Sequence, residues 1–136
     1  MEKVFVDTDN ALDLLSERMP HYIHAARLFT LADKGVLSVY VSSLSFSNLN
    51  YLLSRQFSQI DARRILNKFK VLANVLPVDE KIIGLSLNSD FKDFEDAIQY
   101  FTAVENSLNT LVTRNLKDFK SAKIAVMTAE DYLSTL

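Results

Sequence analysis

Lys3-Val4-Phe5-Val6-Asp7 is the stretch that decides the fold. It is a short β-branched and aromatic run that ends at an acid, which predicts a buried strand. Similar runs follow at residues 37–41, 74–78, 110–112 and 124–126, and segments with apolar residues at helical spacing separate them. Strands that alternate with helices predict an α/β fold in three layers, α/β/α, around a central and mostly parallel sheet of four to five strands.

The composition favours one domain spanning residues 1–136. Of the 136 residues 49% are apolar, and two Gly and two Pro leave little loop punctuation. The absence of cysteine excludes disulfides and thiolate metal sites. No apolar run approaches the length of a membrane span, and we expect a cytoplasmic location. A net charge of −2 argues against a protein that coats nucleic acid, but not against an enzyme that acts on it.

Acids and polar residues follow two of the predicted strands directly. Asp7 follows the first strand, and Thr113, Asn115 and Asp118 follow the fourth. Because the carboxyl ends of parallel strands lie along one rim, we expect these side chains to lie near one another.

A second group of acids, Asp93-Phe94-Glu95-Asp96, begins a helix that leads into the fourth strand. Helical spacing places Asp93 and Asp96 on one stripe. Glu95 falls on another stripe with Gln99, Thr102 and Asn106, which we expect to face solvent because it is wholly polar. Capping and the helix dipole, at about 0.3–1 kcal/mol per acid, are one explanation of the group.

The other explanation is a metal site. Carboxylates gathered at one rim repel one another, and the usual compensation is a hard cation such as Mg²⁺ or Mn²⁺ held by oxygen ligands. Asp7, Asp96 and Asp118 are the candidate ligands, with Asp9 and Asp93 nearby. Asn48 shares a helical stripe with leucines and is expected to face inward, as a hydrogen-bonded structural amide or as a group that binds or orients a ligand.

These motifs resemble those of the PIN-domain family, in particular the VapC-like toxin ribonucleases. The resemblance extends over nearly the whole chain and rests on four stretches. They are residues 4–8, 41–45, 93–97 and 113–119, and the last two are the most specific.

The resemblance implies a compact α/β domain whose acids bind one or two Mg²⁺ or Mn²⁺ ions and cleave RNA. It assigns Asp7, Asp96 and Asp118 to the first, third and fourth metal-binding positions, and Thr113 and Asn115 to the polar loop that supports the fourth. It further implies a homodimer and a small antitoxin protein as partners.

Asn48 departs from the family pattern, because the second acid is usually a Glu in the third helix. A neutral amide binds a divalent ion less tightly than a carboxylate does. Asp9, Asp93 and Glu95 could compensate for it. The alternative function is therefore a catalytically weakened PIN fold that acts as a binding or assembly module.

Other interpretations carry less weight. Asp7-Thr8-Asp9 also resembles the first motif of haloacid-dehalogenase-type phosphatases, but the chain is short for that fold. A phosphorylated receiver domain would need its acid after the third strand. Arg114 is expected either to contact phosphate or to form an outward salt bridge. We expect a solvated helix face for the basic residues Arg55, Arg63, Arg64, Lys68 and Lys70. We expect the two histidines, His21 and His24, to lie away from the acidic loops and to have no catalytic role.

Overall fold

The structure is a computed structural model that describes residues 1–136. It contains five strands that alternate with seven helices. The strands are β1 Glu2–Val6, β2 Leu37–Ser42, β3 Ala73–Leu76, β4 Thr110–Val112 and β5 Ala125–Met127. The helices are α1 Thr8–Leu15, α2 His21–Asp33, α3 Ser43–Gln56, α4 Gln59–Leu72, α5 Glu80–Leu87, α6 Phe94–Glu105 and α7 Ala129–Ser134. A 3₁₀ turn, Leu116–Phe119, follows β4.

The five strands form one sheet in the order β3-β2-β1-β4-β5, and every neighbouring pair is parallel. The predicted α/β/α fold is thereby confirmed. The chain runs outward from β1 to β3 on one side and then returns to place β4 on the other side of β1. The order of the strands therefore reverses between β1 and β4, and a crevice opens at such a point beyond the carboxyl ends of the strands.

The two faces of the sheet carry separate apolar clusters. Successive strand residues point to opposite faces, so Val4 and Val6 belong to the larger cluster and Phe5 to the smaller. Phe29 and Phe69, from α2 and α4, pack in the larger cluster. The smaller cluster includes Tyr100 of α6, together with Ala103, Leu108, Leu111 and Phe119.

Side-chain caps begin most of the helices where the sequence places them. Asp7, Ser42, Asp79, Asp93 and Thr128 each accept a backbone N–H at a helix start. Several boundaries differ from the expectation. The first helix begins at residue 8 rather than 10 because Asp7 caps it. The third strand covers residues 73–76 rather than 74–78, and the last strand lies one residue later than predicted. Not one of the helices is both long and apolar enough to cross a membrane.

Candidate active site

Asp7 and Thr113 lie side by side where the strand order reverses. Val6 pairs with Val112, so the residue after each strand emerges at the same level of the rim. Thr113 is fully buried, and its hydroxyl donates to Asp7 Oδ2 at 2.9 Å. The Thr8 backbone N–H donates to Asp7 Oδ1 at 2.8 Å. Asp7 is only 5% exposed, so its carboxylate is almost completely buried from solvent at the end of β1.

Asp9 is tied to the loop that follows β4. Its Oδ2 accepts from Asn115 Nδ2 at 2.9 Å and from the Arg114 backbone N–H at 3.4 Å. The Asn115 backbone N–H in turn donates to the Thr113 hydroxyl at 3.1 Å. The side chains of Thr113 and Asn115 thus bind Asp7 and Asp9. The resemblance had instead implied that their loop supports Asp118.

Asp96 enters the site from the first turn of α6. Asp93 caps this helix and accepts the Asp96 backbone N–H at 3.0 Å. Asp93 is exposed, whereas Asp96 is half-buried. The two acids were expected on one stripe, and the cap gives them different surroundings. Asp93 has a structural role in starting the helix, and Asp96 is the acid that α6 turns toward the rim.

The carboxylates raise one another's pKa. Burial, above all, and the charges of Asp9 and Asp96 raise the pKa of Asp7 to about 8, although the hydrogen bond from Thr113 opposes the shift. Burial and the charges of Asp93 and Asp118 raise the pKa of Asp96 to about 7. Burial also raises the pKa of Asp9, against the positive charge of Arg114. Acids from three separate segments therefore share one electrostatic field.

The oxygen donors at this rim suit Mg²⁺ or Mn²⁺ in chemical type, because these hard cations prefer carboxylate and water oxygens. No three Asp, Glu, His or Cys side chains of the structure are arranged so that they could hold a metal ion by themselves. Mg²⁺ commonly keeps several water ligands and uses only one or two carboxylates together with substrate phosphates. The residues therefore fit an ion that is held largely through water.

Asp118 lies at the open side of the site. It is exposed in the 3₁₀ turn, and its charge contributes to the raised pKa of Asp96. A pocket of about 390 Å³ lies between this turn and the start of α6, and Asp93, Lys117 and Lys120 also line it. Asp118 is thus brought near Asp96, while its own side chain faces solvent.

Asn48 and Glu95 contact each other. Asn48 was expected to face inward with the leucines of α3, but it is only half-buried and Leu52 on the same stripe is 38% exposed. Glu95 is exposed, as expected, and it also accepts a hydrogen bond from Asn48 Nδ2. Burial and the charge of Asp93 raise the pKa of Glu95, and the bond from Asn48 lowers it.

The middle of the polar stripe of α6 is buried, contrary to the expected solvent face, whereas Glu95 and Asn106 at its ends are exposed as expected. Gln99 and Thr102 are both fully buried. Gln99 Nε2 donates to Thr8 Oγ1 at 3.1 Å and to Ser45 Oγ at 3.2 Å, and these two hydroxyls lie 2.7 Å apart. The middle of the stripe faces inward because hydroxyls from α1 and α3 provide partners for it. Gln99 Oε1 has no hydrogen-bond partner.

Arg114 points inward to Asp13, an acid that the sequence analysis did not single out. The two form an ion pair with Nε and Oδ2 2.7 Å apart, and Asp13 is 0% exposed. Burial raises the pKa of Asp13, and the charge of Arg114 opposes that shift. The prediction of an outward salt bridge is therefore wrong, and the phosphate contact stays a prediction. Asp9 and Asp13 are four residues apart in one helix and therefore share a face. Because the helix was predicted to begin at residue 10, the sequence analysis did not place Asp9 in it and missed this relation.

The histidines lie outside the acidic cluster, although they are nearer to its loop than expected. His21, His24 and Arg114 line one pocket of about 180 Å³. His24 Nε2 lies 3.6 Å from Glu130 Oε2. The basic residues of α3 and α4 are all exposed, as expected for a solvated face; they are Arg55, Arg63, Arg64, Lys68 and Lys70.

Comparisons with known proteins agree with this arrangement. The model of the PIN domain family matches residues 3–117. Ribonuclease VapC1 from Aquifex aeolicus is 28% identical over 139 residues, which cover 96% of this chain and 93% of the relative. The structure of FitAcB from Neisseria gonorrhoeae has a TM-score of 0.73 at 17% identity and covers 93% of this chain and 98% of its own. A toxin-antitoxin complex from Klebsiella pneumoniae has a TM-score of 0.69 at 23% identity, with 93% and 97% covered.

Proposed function

Because the chain belongs to the PIN-domain family, we propose that it is a metal-dependent endoribonuclease and the toxin of a toxin-antitoxin pair. The observation that carries the proposal is the placement of Asp7 at the carboxyl end of β1, where it is buried and its two oxygens accept from Thr113 and Thr8, with Asp96 half-buried at the start of α6. The charge of Asp96 contributes to the raised pKa of Asp7. Its relative from Aquifex aeolicus is named a ribonuclease, which supports RNA as the substrate. We treat residues 1–136 as one PIN-like domain.

Asp7, Asp96 and Asp118 are the proposed ligands of Mg²⁺ or Mn²⁺, and Asp9 and Asp93 are further candidates. A bound divalent ion would lower the pKa of a water molecule and stabilise the charge that develops on the phosphate. Asp7 is suited to its role because the Thr113 hydroxyl and the Thr8 N–H hold its two oxygens in fixed positions. A carboxylate held in this way loses little freedom when it binds a ligand.

The loop after β4 organises the same acids. Asn115 holds Asp9 through Oδ2, and the ion pair with Asp13 anchors Arg114 between the two loop residues that contact acids. The side chain of Arg114 is therefore assigned to fixing the loop. The half-exposed Asp96 and the exposed Asp118 leave the solvent side of the site open to an RNA strand.

An antitoxin partner is proposed because similar structures include a toxin-antitoxin complex. The homodimer and the cytoplasmic location stay predictions. The alternative function, a weakened PIN fold that acts as a binding module, is favoured by Asn48 at the position where the family usually has Glu. One experiment separates the two functions.

The experiment measures cleavage of a structured RNA in Mn²⁺ by wild type, Asp96→Asn and Asp61→Asn. Asp61 is the matched control because it is also the third residue of a helix and its N–H also binds the cap, here Ser58. Asp96→Asn should slow cleavage by at least about 100-fold, because it removes a ligand of the ion. Asp61→Asn should leave the rate unchanged.

Two results would contradict the proposal. Wild type that neither cleaved RNA nor bound Mn²⁺ would exclude the nuclease and leave the binding module. Cleavage that survived Asp96→Asn would show that the activity arises elsewhere.

A further inference from the structure

Three lysines line a pocket of about 390 Å³ beside the acidic rim, which we call the lysine pocket. Lys92 precedes the cap of α6, and Lys117 and Lys120 belong to the 3₁₀ turn and its C-terminal cap. Asp93 and Asp118 line the same pocket. Two segments of the chain thus bring three cations to one side of the proposed site.

The lysine pocket adjoins Asp96 through two of its own acids. Asp93 accepts the Asp96 backbone N–H at 3.0 Å, so these two residues lie in the same helix start. The charge of Asp118 contributes to the raised pKa of Asp96, so Asp118 also lies within its electrostatic reach. A strand that passes through the pocket would therefore run alongside the half-buried acid of α6.

The cations of the lysine pocket have no partner within the protein. Although Asp90, Asp93 and Asp118 line the pocket, none of its three lysines forms an ion pair in the structure. All three lysines are exposed. A lysine ammonium ends a flexible four-carbon stem, whereas an aspartate carboxylate stays near the backbone. A polyanion that approaches the pocket therefore meets the ammonium groups before the acids.

The groove continues beyond the lysine pocket and becomes more basic there. A second pocket, of about 250 Å³, shares Asp90 and Phe91 with the first, adds Lys123 and contains no further acid. The Phe91 ring packs against Tyr100 and Phe119, with centroids 5.1 and 5.8 Å away. The wall that the two pockets share is thus fixed by packing, and a bound strand would not have to order it.

We propose that the lysine pocket binds the sugar-phosphate backbone of a single-stranded segment of RNA next to the bond that is cut, with Lys92, Lys117 and Lys120 as its phosphate-binding residues. The inference rests on the proposed function, because it concerns the same substrate. Ammonium groups along a groove bind backbone phosphates by charge. Such contacts fix the position of a strand without reading its sequence.

The test measures binding of a fluorescent single-stranded RNA of mixed sequence by anisotropy at several salt concentrations. EDTA is present so that the strand stays intact. The pocket variant combines Lys92→Gln, Lys117→Gln and Lys120→Gln. The slope of the logarithm of the binding constant against the logarithm of the salt concentration should become shallower by about 2, since each phosphate contact on a single strand contributes about 0.7. At physiological salt the affinity should fall by at least about 10-fold.

Two control variants separate this pocket from the charge of the whole protein. Arg63→Gln with Lys68→Gln and Lys70→Gln removes the same charge from the exposed face of α4 and should keep the slope of wild type. Replacing the three lysines of the pocket by arginine keeps their charge and should also keep the slope. Circular dichroism verifies that each variant is folded. A wild-type slope in the pocket variant, or an equal loss in the α4 variant, would overturn the inference.

The failure of this inference differs from the failure of the proposed function. If the pocket variant bound RNA and cleaved it in Mn²⁺ as wild type does, the nuclease would stand and the lysine pocket would have no part in it. If wild type bound RNA through these lysines but cleaved none, the pocket would stand and the binding module would replace the nuclease. If wild type neither bound nor cleaved RNA, both proposals would be overturned.

Discussion

At the scale of single residues, the acids of the site differ in solvent exposure. Asp7 is almost fully buried, Asp96 is half-buried, and Asp118 and Asp93 are exposed. Burial is the largest cause of the raised pKa of both Asp7 and Asp96, and neighbouring carboxylates add to it. The protein therefore maintains a charge arrangement that disfavours its own folded state unless a cation or a proton compensates for it.

This arrangement predicts how the stability of the metal-free protein depends on pH. The pKa of Asp7 is raised from 3.8 to about 8, so between these values the folded state binds more protons than the unfolded state. The free energy of unfolding must then fall as the pH rises through this window. We expect a higher melting temperature at pH 5.5 than at pH 8.5 in the presence of a chelator.

Asp7→Asn should flatten that dependence, because a neutral amide has no proton to lose. Its melting temperature at pH 8.5 should exceed that of wild type, by about 3–6 °C for each kcal/mol recovered. Differential scanning fluorimetry measures both curves, and Asp61→Asn serves as a surface control. An unchanged pH dependence in Asp7→Asn would show that the charge of Asp7 is already compensated within the protein.

At the scale of elements, the loop between β4 and the 3₁₀ turn is attached to α1 at several points. Thr113 binds Asp7, Asn115 binds Asp9, and Arg114 pairs with Asp13. These contacts join segments about a hundred residues apart in sequence, for example 106 residues for Asp7 and Thr113. Loop and helix therefore behave as one unit around the acids.

Asp13→Ala tests this attachment. Removing one partner of a buried ion pair leaves an uncompensated charge, at a typical cost of about 3–5 kcal/mol. Because the Arg114 side chain is 28% exposed and can turn toward solvent, we expect the lower end of that range. Urea denaturation measures the loss in the free energy of unfolding.

The surface ion pair between Lys81 and Glu105 provides the comparison, at 2.6 Å. Glu105→Ala should cost much less than Asp13→Ala, since exposed ion pairs contribute little to stability. Equal losses in the two variants would mean that the buried pair has no special role in holding the loop.

At the scale of the whole molecule, the reversal of strand order between β1 and β4 decides where the acids meet. β1 lies at the centre of the sheet, and the segments that carry Asp7, Asp96 and Asp118 approach its carboxyl end from three directions. Ion binding at this point would link the two sides of the sheet. It would stabilise the folded state, because the unfolded chain does not gather these acids.

We therefore expect Mn²⁺ to raise the melting temperature of wild type and EDTA to reverse the effect. An ion at 100 times its dissociation constant adds about 2.7 kcal/mol to the free energy of unfolding. The increase should vanish in Asp96→Asn and remain in Asp61→Asn. An equal increase in wild type and Asp96→Asn would place the ion elsewhere on the protein.

Local sequence was enough to predict most helices and strands and to predict that Asp7 lies at the carboxyl end of a strand. Strand runs, apolar spacing and capping residues act over a few positions, so the helix starts after Ser42, Asp79, Asp93 and Thr128 could be identified directly. The position of Asp7 at the carboxyl end of a parallel strand followed from the alternation of strands and helices. Resemblance to a family added the expected roles of the acids, which stay predictions.

Only the tertiary structure decided which polar side chains face inward and which partners they have. The polar stripe of α6 reads as a solvent face, yet Gln99 is buried against Thr8, 91 residues away in sequence. Arg114 reads as a surface or substrate residue, yet it pairs with Asp13. Periodicity identifies the faces of a helix, but burial of a polar face depends on whether distant segments supply hydrogen-bond partners. The pairing of Glu95 with Asn48 was hidden for the same physical reason.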